Sequence, residues 1–299
     1  MTDPYVRPDV LAFLQFLNNV PGPKLYELGA PEARMVQNAM RDVADAPVGE
    51  LAVIRDLDIP GPAGTITARL YDRREDRGSG PVMVFFHGGG FVIGNIYTYE
   101  PYCAEVARLL DLPVISVDYR LGPESPFPAA FEDCEAAARW VATGPEALGF
   151  GVAGLILSGD SAGGNLTIST SMALRDEPAT VPVIAQLAIY PVVTLDPHWP
   201  SMSQFANGYL LTAELIQWFA DGHAATGADS RTHPLDCEQT AMPPTVLTTA
   251  SLDPLRDQGI AYAAKLKAAG VRVEHISAEG TIHGHINVRK GIPSTQADV

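Results

Sequence analysis

The sequence predicts an α/β protein with a mostly parallel central sheet flanked by helices, and with a helical cap. Two observations lead to this prediction. From residue 82 onward, short apolar runs with strand character alternate with longer segments of helical character, which is typical of a parallel sheet covered on both faces. Residues 191–242 interrupt this alternation with four prolines, and such an insertion commonly lies at the carboxyl edge of the sheet, where ligands bind.

The first 48 residues do not share the alternation. Residues 9–17 and 31–43 predict two helices, which we expect to form one half of the cap. Residues 53–59 and 65–71 have strand character and are separated by Pro60-Gly61-Pro62, so they predict an antiparallel pair.

The remaining elements follow in order. Further strands are predicted at 82–86, 114–117, 155–157, 187–190, 246–249 and 272–276, and helices at 101–110, 129–142, 165–174, 213–225 and 257–269. We therefore divide the chain into an N-terminal cap segment (1–48), a core domain (49–190 and 243–299) and a cap insertion (191–242).

The last residues predict the opening of a helix. Ser294 follows Pro293 in a position suited to an N-cap. Because a helix of about one turn is unstable on its own, we expect the chain to be cut inside this helix. The cut would leave an apolar strip uncovered along the last strand, formed by Val271, Val273 and Ile276.

Composition narrows the classes of function. The 299 residues carry a net charge of −15, which disfavours nucleic acid and anionic membranes as partners. The sequence has no apolar run of 18 residues and no basic leader, so we expect no membrane insertion and a cytoplasmic protein. The three cysteines are far apart, which fits a reducing compartment. We expect a small-molecule substrate, and the sequence is compatible with a homodimer.

One serine carries the strongest chemical signal. Residues 159–163 read Gly-Asp-Ser-Ala-Gly between an apolar run and a helix-like segment. This pattern is typical of a nucleophile elbow, a sharp strand-to-helix turn that exposes the hydroxyl of Ser161. The pentapeptide alone also fits an ordinary glycine-rich loop, so the interpretation depends on the motifs around it.

Donors for an oxyanion are predicted in a second glycine-rich segment. Strand 82–86 runs into His87-Gly-Gly-Gly-Phe91, whose glycines let backbone N–H groups turn toward a reacting carbonyl oxygen. We assign Gly89 and Gly90 as donors, with Ala162 as the third because it begins the helix of the elbow.

An aspartate and a histidine follow the last two strands. Asp253 comes just after strand 246–249, and His283 comes after strand 272–276. Their order after Ser161 is the order of nucleophile, acid and base in one large class of hydrolases. Asp257 fits an N-cap for the next helix, and the alternative that both aspartates are caps stays open. His283 and His285 could instead be a metal pair, although nothing nearby completes a ligand set.

Together these motifs resemble the hormone-sensitive-lipase-like esterases, in the subgroup named for Gly-Asp-Ser-Ala-Gly, within the α/β-hydrolase superfamily. The matching segments lie at 87–94, 118–124, 127–130, 159–166, 208–212, 253–257 and 283–284. The resemblance implies an α/β-hydrolase fold with a cap built from N-terminal helices and a mid-chain insertion. It also implies hydrolysis of carboxylic esters.

The family pattern has two departures here. His285 stands where the family usually has phenylalanine, and the chain ends sooner after His283 than the family does. The departures leave the predicted mechanism intact: Ser161 attacks the ester, His283 moves the proton, Asp253 orients His283, and no cofactor or metal takes part.

We expect short-to-medium acyl esters as substrates, because bulky cap residues close the acyl pocket: Phe13, Phe16, Leu17, Phe205, Tyr209, Leu210 and Trp218. The alternatives are a catalytically weak small-molecule-binding protein of the same fold, and an amidase or lactonase that uses the same three residues.

Overall fold

The computed structural model describes residues 4–225 and 229–299. In these ranges eight strands form one sheet, in the order β1-β2-β4-β3-β5-β6-β7-β8. The strands are β1 (Val53–Gly61), β2 (Gly64–Asp72), β3 (Gly80–Phe86), β4 (Val114–Val117), β5 (Val152–Asp160), β6 (Val183–Ile189), β7 (Thr245–Leu252) and β8 (Val273–Ile282). Each predicted strand is present, and most are longer than predicted.

The sheet is parallel except at its first edge. β1 and β2 form the predicted antiparallel hairpin, and β2 also pairs antiparallel with β4. All other pairs are parallel. In the central strand β3, Val82–Phe86 are all buried, as expected for a parallel strand covered on both faces. The loops after β3, β5, β7 and β8 therefore meet at one edge of the sheet.

The described residues form eight α-helices: α1 (Pro8–Asn19), α2 (Ala30–Ala44), α3 (Ile96–Leu110), α4 (Ala129–Ala142), α5 (Ala162–Asp176), α6 (Pro200–Gln204), α7 (Ala213–His223) and α8 (Arg256–Ala268). The predicted start of α3 at Pro101 is wrong. The helix begins at Ile96, because the Asn95 side chain caps it by accepting a hydrogen bond of 2.9 Å from the Thr98 amide. None of the helices in the described ranges has both the length and the apolar character needed to span a membrane.

Parts of both predicted cap segments lie at the carboxyl edge of the sheet. Phe13 and Leu14 of α1 pack on Leu252 and Ile282, at the ends of β7 and β8. A second apolar cluster joins α7 to a short 3₁₀ turn (Leu25–Glu27) that precedes α2. Part of the insertion lies elsewhere, since Val193, Leu235 and Met242 pack in the core beside α8.

The last residues form a 3₁₀ helix (Pro293–Asp298) rather than the start of an α-helix. Ser294 does not cap it with its side chain, because its hydroxyl donates to the Asp9 carboxylate at 2.9 Å instead. Asp298 forms an ion pair of 2.6 Å with Arg7, so this segment is bound to the start of the chain.

The predicted uncovered strip is only partly present. Val271 and Val273 pack against the core, while Ile276 is 45% exposed.

Candidate active site

A sharp turn between β5 and α5 positions Ser161. Its backbone has φ 55° and ψ −116°, outside the usual regions for a residue with a side chain. The flanking glycines are required by close backbone contacts: a Cβ on Gly159 would collide with the Gly163 carbonyl, and a Cβ on Gly163 with the Phe86 carbonyl. The predicted elbow is therefore present, with the serine side chain half-buried at its tip.

The structure brings Ser161, His283 and Asp253 together in one hydrogen-bonded chain. The Ser161 Oγ lies 2.8 Å from His283 Nε2, and His283 Nδ1 lies 2.7 Å from Asp253 Oδ2. The Asp253 side chain is fully buried, and His283 is 7% exposed. If Nδ1 donates to the carboxylate, Nε2 is free to accept the serine proton, which is the arrangement that general-base catalysis needs.

The loop after β7 holds Asp253 in place. Its second oxygen, Oδ1, accepts a hydrogen bond of 2.8 Å from the Leu255 amide. The prediction that Asp257 caps the next helix is wrong, because α8 begins at Arg256 and has no side-chain cap. The Asp257 carboxylate instead accepts a hydrogen bond of 2.9 Å from the Ser201 amide, in α6.

The three predicted oxyanion donors lie beside the elbow. Gly89 and Gly90 have φ values of 110° and 60°, which favour glycine. Ala162 is the first residue of α5, where the amides lack helical partners. The amides of Gly89, Gly90 and Ala162 donate to no acceptor within the described ranges, so they are available to an oxyanion.

Sequence reasoning missed two residues that join the loop to the elbow. Asp160 is buried, and its Oδ1 accepts a hydrogen bond of 2.7 Å from the Gly88 amide. Its Oδ2 accepts from the hydroxyls of Tyr99 (3.0 Å) and Tyr190 (3.3 Å). Burial raises the pKa of Asp160 to about 6. For Asp160 the sequence offered one signal, an acidic residue directly before the serine of the elbow motif. For Tyr190 it offered none.

His285 lies in a buried 3₁₀ turn directly after the site (His285–Asn287). Its ring packs edge-on against Tyr190 with centroids 5.3 Å apart, and Nδ1 lies 3.0 Å from the Ile282 carbonyl oxygen. Burial lowers its pKa to about 4, so the imidazole is neutral near pH 7. Within residues 4–225 and 229–299, no group of three or more His, Cys, Asp or Glu side chains is arranged to hold a metal ion.

The loop that carries the predicted oxyanion donors Gly89 and Gly90, residues 87–90, is called the oxyanion loop below. The predicted cap insertion reaches it through Phe219 of α7. A Cβ on Gly90 would collide with the Phe219 ring, so this ring packs directly on the loop. Leu211 and Leu215 pack against Leu255, two residues after Asp253. The expectation that Phe16 helps to close the pocket is wrong, because its side chain is 64% exposed.

The other predicted cap residues fall into two groups. Trp218 packs beside Phe219, whereas a separate cluster at the ends of β7 and β8 contains Phe13, Leu17, Phe205, Tyr209 and Leu210.

Comparison with known proteins gives consistent matches over most of the chain. A family described as alpha/beta hydrolase fold matches residues 83–287. The esterase LipI of Mycobacterium tuberculosis is 37% identical over 266 residues, which cover 87% of this chain and 83% of LipI. An ethyl acetate hydrolase of Pseudomonas putida is 33% identical over 289 residues, covering 93% of this chain and 91% of that protein.

Solved structures extend the similarity to three dimensions. The ester hydrolase EH1AB1 from the metagenome of Lake Arreo, complexed with a derivative of bipyridine phosphonate, has a TM-score of 0.92 to this chain. The two are 34% identical, and the match covers 98% of this chain and 95% of EH1AB1.

Proposed function

Because the chain belongs to the hormone-sensitive-lipase-like esterases of the α/β-hydrolase superfamily and is a carboxylic ester hydrolase, we propose that Ser161, His283 and Asp253 catalyse this hydrolysis. The observation that carries the proposal is the hydrogen-bonded chain of these three side chains at the carboxyl edge of the sheet. Each comes from a different loop, so their meeting is a property of the fold.

The mechanism has two acyl-transfer steps. His283 Nε2 takes the proton from the Ser161 hydroxyl as its oxygen attacks the ester carbonyl. The developing oxyanion accepts hydrogen bonds from the Gly89, Gly90 and Ala162 amides. The His283 imidazolium then protonates the departing alcohol, which leaves an acyl-serine. Water repeats the sequence and releases the acid, while Asp253 holds the imidazole in one tautomer.

The decisive experiment removes the nucleophile and the base. We expect Ser161→Ala and His283→Ala each to lower kcat on p-nitrophenyl butyrate by about 10⁴–10⁶, and the double variant to lose little more, because the residues act as a unit. Ser158→Ala is the matched control: this serine is buried in β5, the strand that leads to Ser161, and its hydroxyl has no partner within the described ranges. Retention of a tenth of the wild-type rate by Ser161→Ala would disprove the assignment.

We also propose a preference for short-to-medium acyl chains. The support is the packing of Phe219 on Gly90 and of Leu211 and Leu215 beside the Asp253 loop, which limits the room next to the reacting carbonyl. A closed pocket accepts added methylenes only until it is full, so activity should fall beyond about eight to ten carbons.

We also propose the division of the chain into an N-terminal cap segment (1–48), a catalytic domain (49–190 and 243–299) and a cap insertion (191–242).

The cellular setting is proposed on chemical grounds. The three cysteines are free thiols, two of them buried, which supports a reducing cytoplasm. The net charge of −15 supports a small-molecule ester rather than nucleic acid as the partner.

A further inference from the structure

Asp160 is a buried carboxylate that the mechanism above does not use. It is 2% exposed, and its three hydrogen-bond donors are neutral groups: the Gly88 amide and the hydroxyls of Tyr99 and Tyr190. Three other buried acids each pair with an arginine: Asp45 with Arg289, Asp72 with Arg77, and Asp133 with Arg120 at 2.8 Å. An unpaired buried carboxylate destabilises a fold, so its presence beside the nucleophile needs an explanation.

The donors of Asp160 connect it to two parts of the site. Gly88 begins the loop that carries Gly89 and Gly90, and a Cβ on Gly88 would lie 2.6 Å from Asp160 Oδ2. The loop therefore rests directly on the carboxylate. Tyr190 follows β6, and its ring centroid lies 4.5 Å from that of His283. One side chain thus contacts both the oxyanion loop and the ring that packs on the base.

We propose that Asp160 is a positioning residue for ester hydrolysis: through Gly88 it holds the Gly89–Gly90 loop, and through Tyr190 it holds the His283 imidazole. This proposal rests on the proposed function of Ser161, His283 and the oxyanion loop.

The charge of Asp160 adds to the geometry. Hydrogen bonds to an ionised acceptor are stronger than those to a neutral one. Burial raises the pKa of Asp160 to about 6, while the positive charge of His283 opposes this shift. By reciprocity, ionised Asp160 stabilises the imidazolium that forms as Ser161 attacks.

Apart from His283, the titratable groups that act on Asp160 or lie beside it do not change charge around neutral pH. Burial raises the pKa values of the tyrosines and of the thiol, and lowers that of the histidine, which keeps all of them neutral: Tyr99, Tyr102, Tyr119, Tyr190, Cys103 and His87.

The first test is Asp160→Asn, compared with Asp133→Asn. Asparagine keeps the Oδ1 acceptor for Gly88 but loses the charge. We expect kcat on p-nitrophenyl butyrate to fall about 10–100-fold with KM within about threefold, part of the loss seen when an oxyanion donor is removed. In wild type the acid limb of the pH profile of kcat/KM depends on two deprotonations, because His283 must be neutral and Asp160 must be ionised. Asp160→Asn cannot take part in the second, so its acid limb should depend on one proton fewer.

Thermal unfolding separates positioning from a structural role. A pKa raised by burial means that ionised Asp160 destabilises the fold above about pH 6. We therefore expect Asp160→Asn to have the same or a higher Tm than wild type at pH 7.5, while Asp133→Asn has a lower Tm because it breaks an ion pair. An unchanged kcat in Asp160→Asn, with Ser161→Ala inactive, would overturn this inference alone; an active Ser161→Ala would overturn the proposed function.

A second variant tests the network if Asp160→Asn does not fold. The double variant Tyr99→Phe/Tyr190→Phe removes both donors to Oδ2 and keeps the rings. Loss of these donors disfavours the ionised form, so the acid limb of kcat/KM should move to higher pH and kcat should fall severalfold. Tyr262→Phe is the control, since its buried hydroxyl donates to Gln239 in the core, at 2.8 Å. An acid limb and kcat equal to those of Tyr262→Phe would contradict the proposal.

Discussion

Ser161 adopts a backbone conformation that costs about 1–3 kcal/mol for a residue with a side chain. Surrounding hydrogen bonds compensate for this strain: the Ser161 amide donates to the Ile189 carbonyl at 2.9 Å, and its carbonyl accepts from the Val192 and Asn165 amides at 3.1 Å each. Ile189 and Val192 lie at and after the end of β6, and Asn165 lies in α5. The hydroxyl is therefore held toward His283 before any substrate binds, which is the preorganisation that nucleophilic attack requires.

Another single residue, Phe219, is expected to set the longest acyl chain that the site accepts. Phe219→Ala removes the ring that covers Gly90 and leaves space beside the oxyanion loop. We expect the ratio of kcat/KM on p-nitrophenyl decanoate to that on the butyrate to rise about tenfold, since each buried methylene adds up to about 0.8 kcal/mol of binding. A rate series from two to sixteen carbons measures the shift.

The matched control for this change is Phe16→Ala, which removes an aromatic ring from the surface of the cap. It should leave the chain-length profile of wild type unaltered. If wild type itself hydrolyses butyrate and hexadecanoate esters at comparable rates, the closed-pocket interpretation is wrong.

Among the secondary-structure elements, α2 and the segment after β8 are bound by a buried ion pair. The Arg289 guanidinium donates to Asp45 at 2.9 and 3.1 Å, and both side chains are almost completely buried. The Ala44 carbonyl also accepts from the Lys290 and Gly291 amides at 2.9 Å each. The N-terminal half of the cap is thus attached to the chain that continues from His283.

Breaking this pair should cost far more than breaking an exposed one. Arg289→Met leaves Asp45 buried without its partner, and we expect the free energy of unfolding to fall by about 3–5 kcal/mol. Arg139→Met breaks the partly exposed pair with Glu135 in α4 and should cost under about 1 kcal/mol. Urea unfolding at pH 7.5 measures both.

A further double variant separates the charge from the contact. Asp45→Asn/Arg289→Met removes the isolated charge and should recover part of the loss. If Arg289→Met were as stable as Arg139→Met, the pair would have no role in attaching the cap.

The local elements could be predicted well and their long-range contacts could not. Apolar runs and glycine-rich turns define each strand locally, so the sequence predicts all eight strands. Ser161, Asp253 and His283 could be predicted to lie near one another because each follows a strand. Asp45 and Arg289 are 244 residues apart, and no pattern in the sequence links them. Asp160 gave only a weak signal as an acid in the elbow motif, and Tyr190 gave none, since the roles proposed for them depend on contacts between separate loops.

For the molecule as a whole, buried histidines make stability sensitive to acid. His223, at the end of α7, stacks on Phe91 with centroids 4.0 Å apart, and burial lowers its pKa to about 4. Because the imidazole of His223 binds a proton more readily in the unfolded chain, its neutral form stabilises the folded state. This stabilisation is complete above about pH 6.5 and is lost as pH falls toward 4. Asp160, with its pKa raised to about 6, has the opposite dependence and offsets part of the loss.

We expect His223→Gln to reduce this acid sensitivity. The fall in the free energy of unfolding between pH 7.5 and pH 5.0 should be about 2 kcal/mol smaller than in wild type, since glutamine cannot take up the proton. Urea unfolding at the two pH values gives the difference. His198→Gln is the control because the side chain of His198 is 85% exposed, and an equal fall in His223→Gln and wild type would show that His223 is not the sensitive group.

The position of β8 at the edge of the sheet has a consequence for refolding. Among the described residues β8 pairs only with β7, and it brings His283 to a serine 122 residues earlier in the chain. Local opening of an edge strand requires less free energy than global unfolding. We therefore expect detachment of β8 alone to abolish hydrolysis while β3, β5 and the elbow stay intact. During refolding, enzymatic activity would return only when this last strand docks, which makes turnover a more demanding reporter of the native state than any spectroscopic signal from the central sheet.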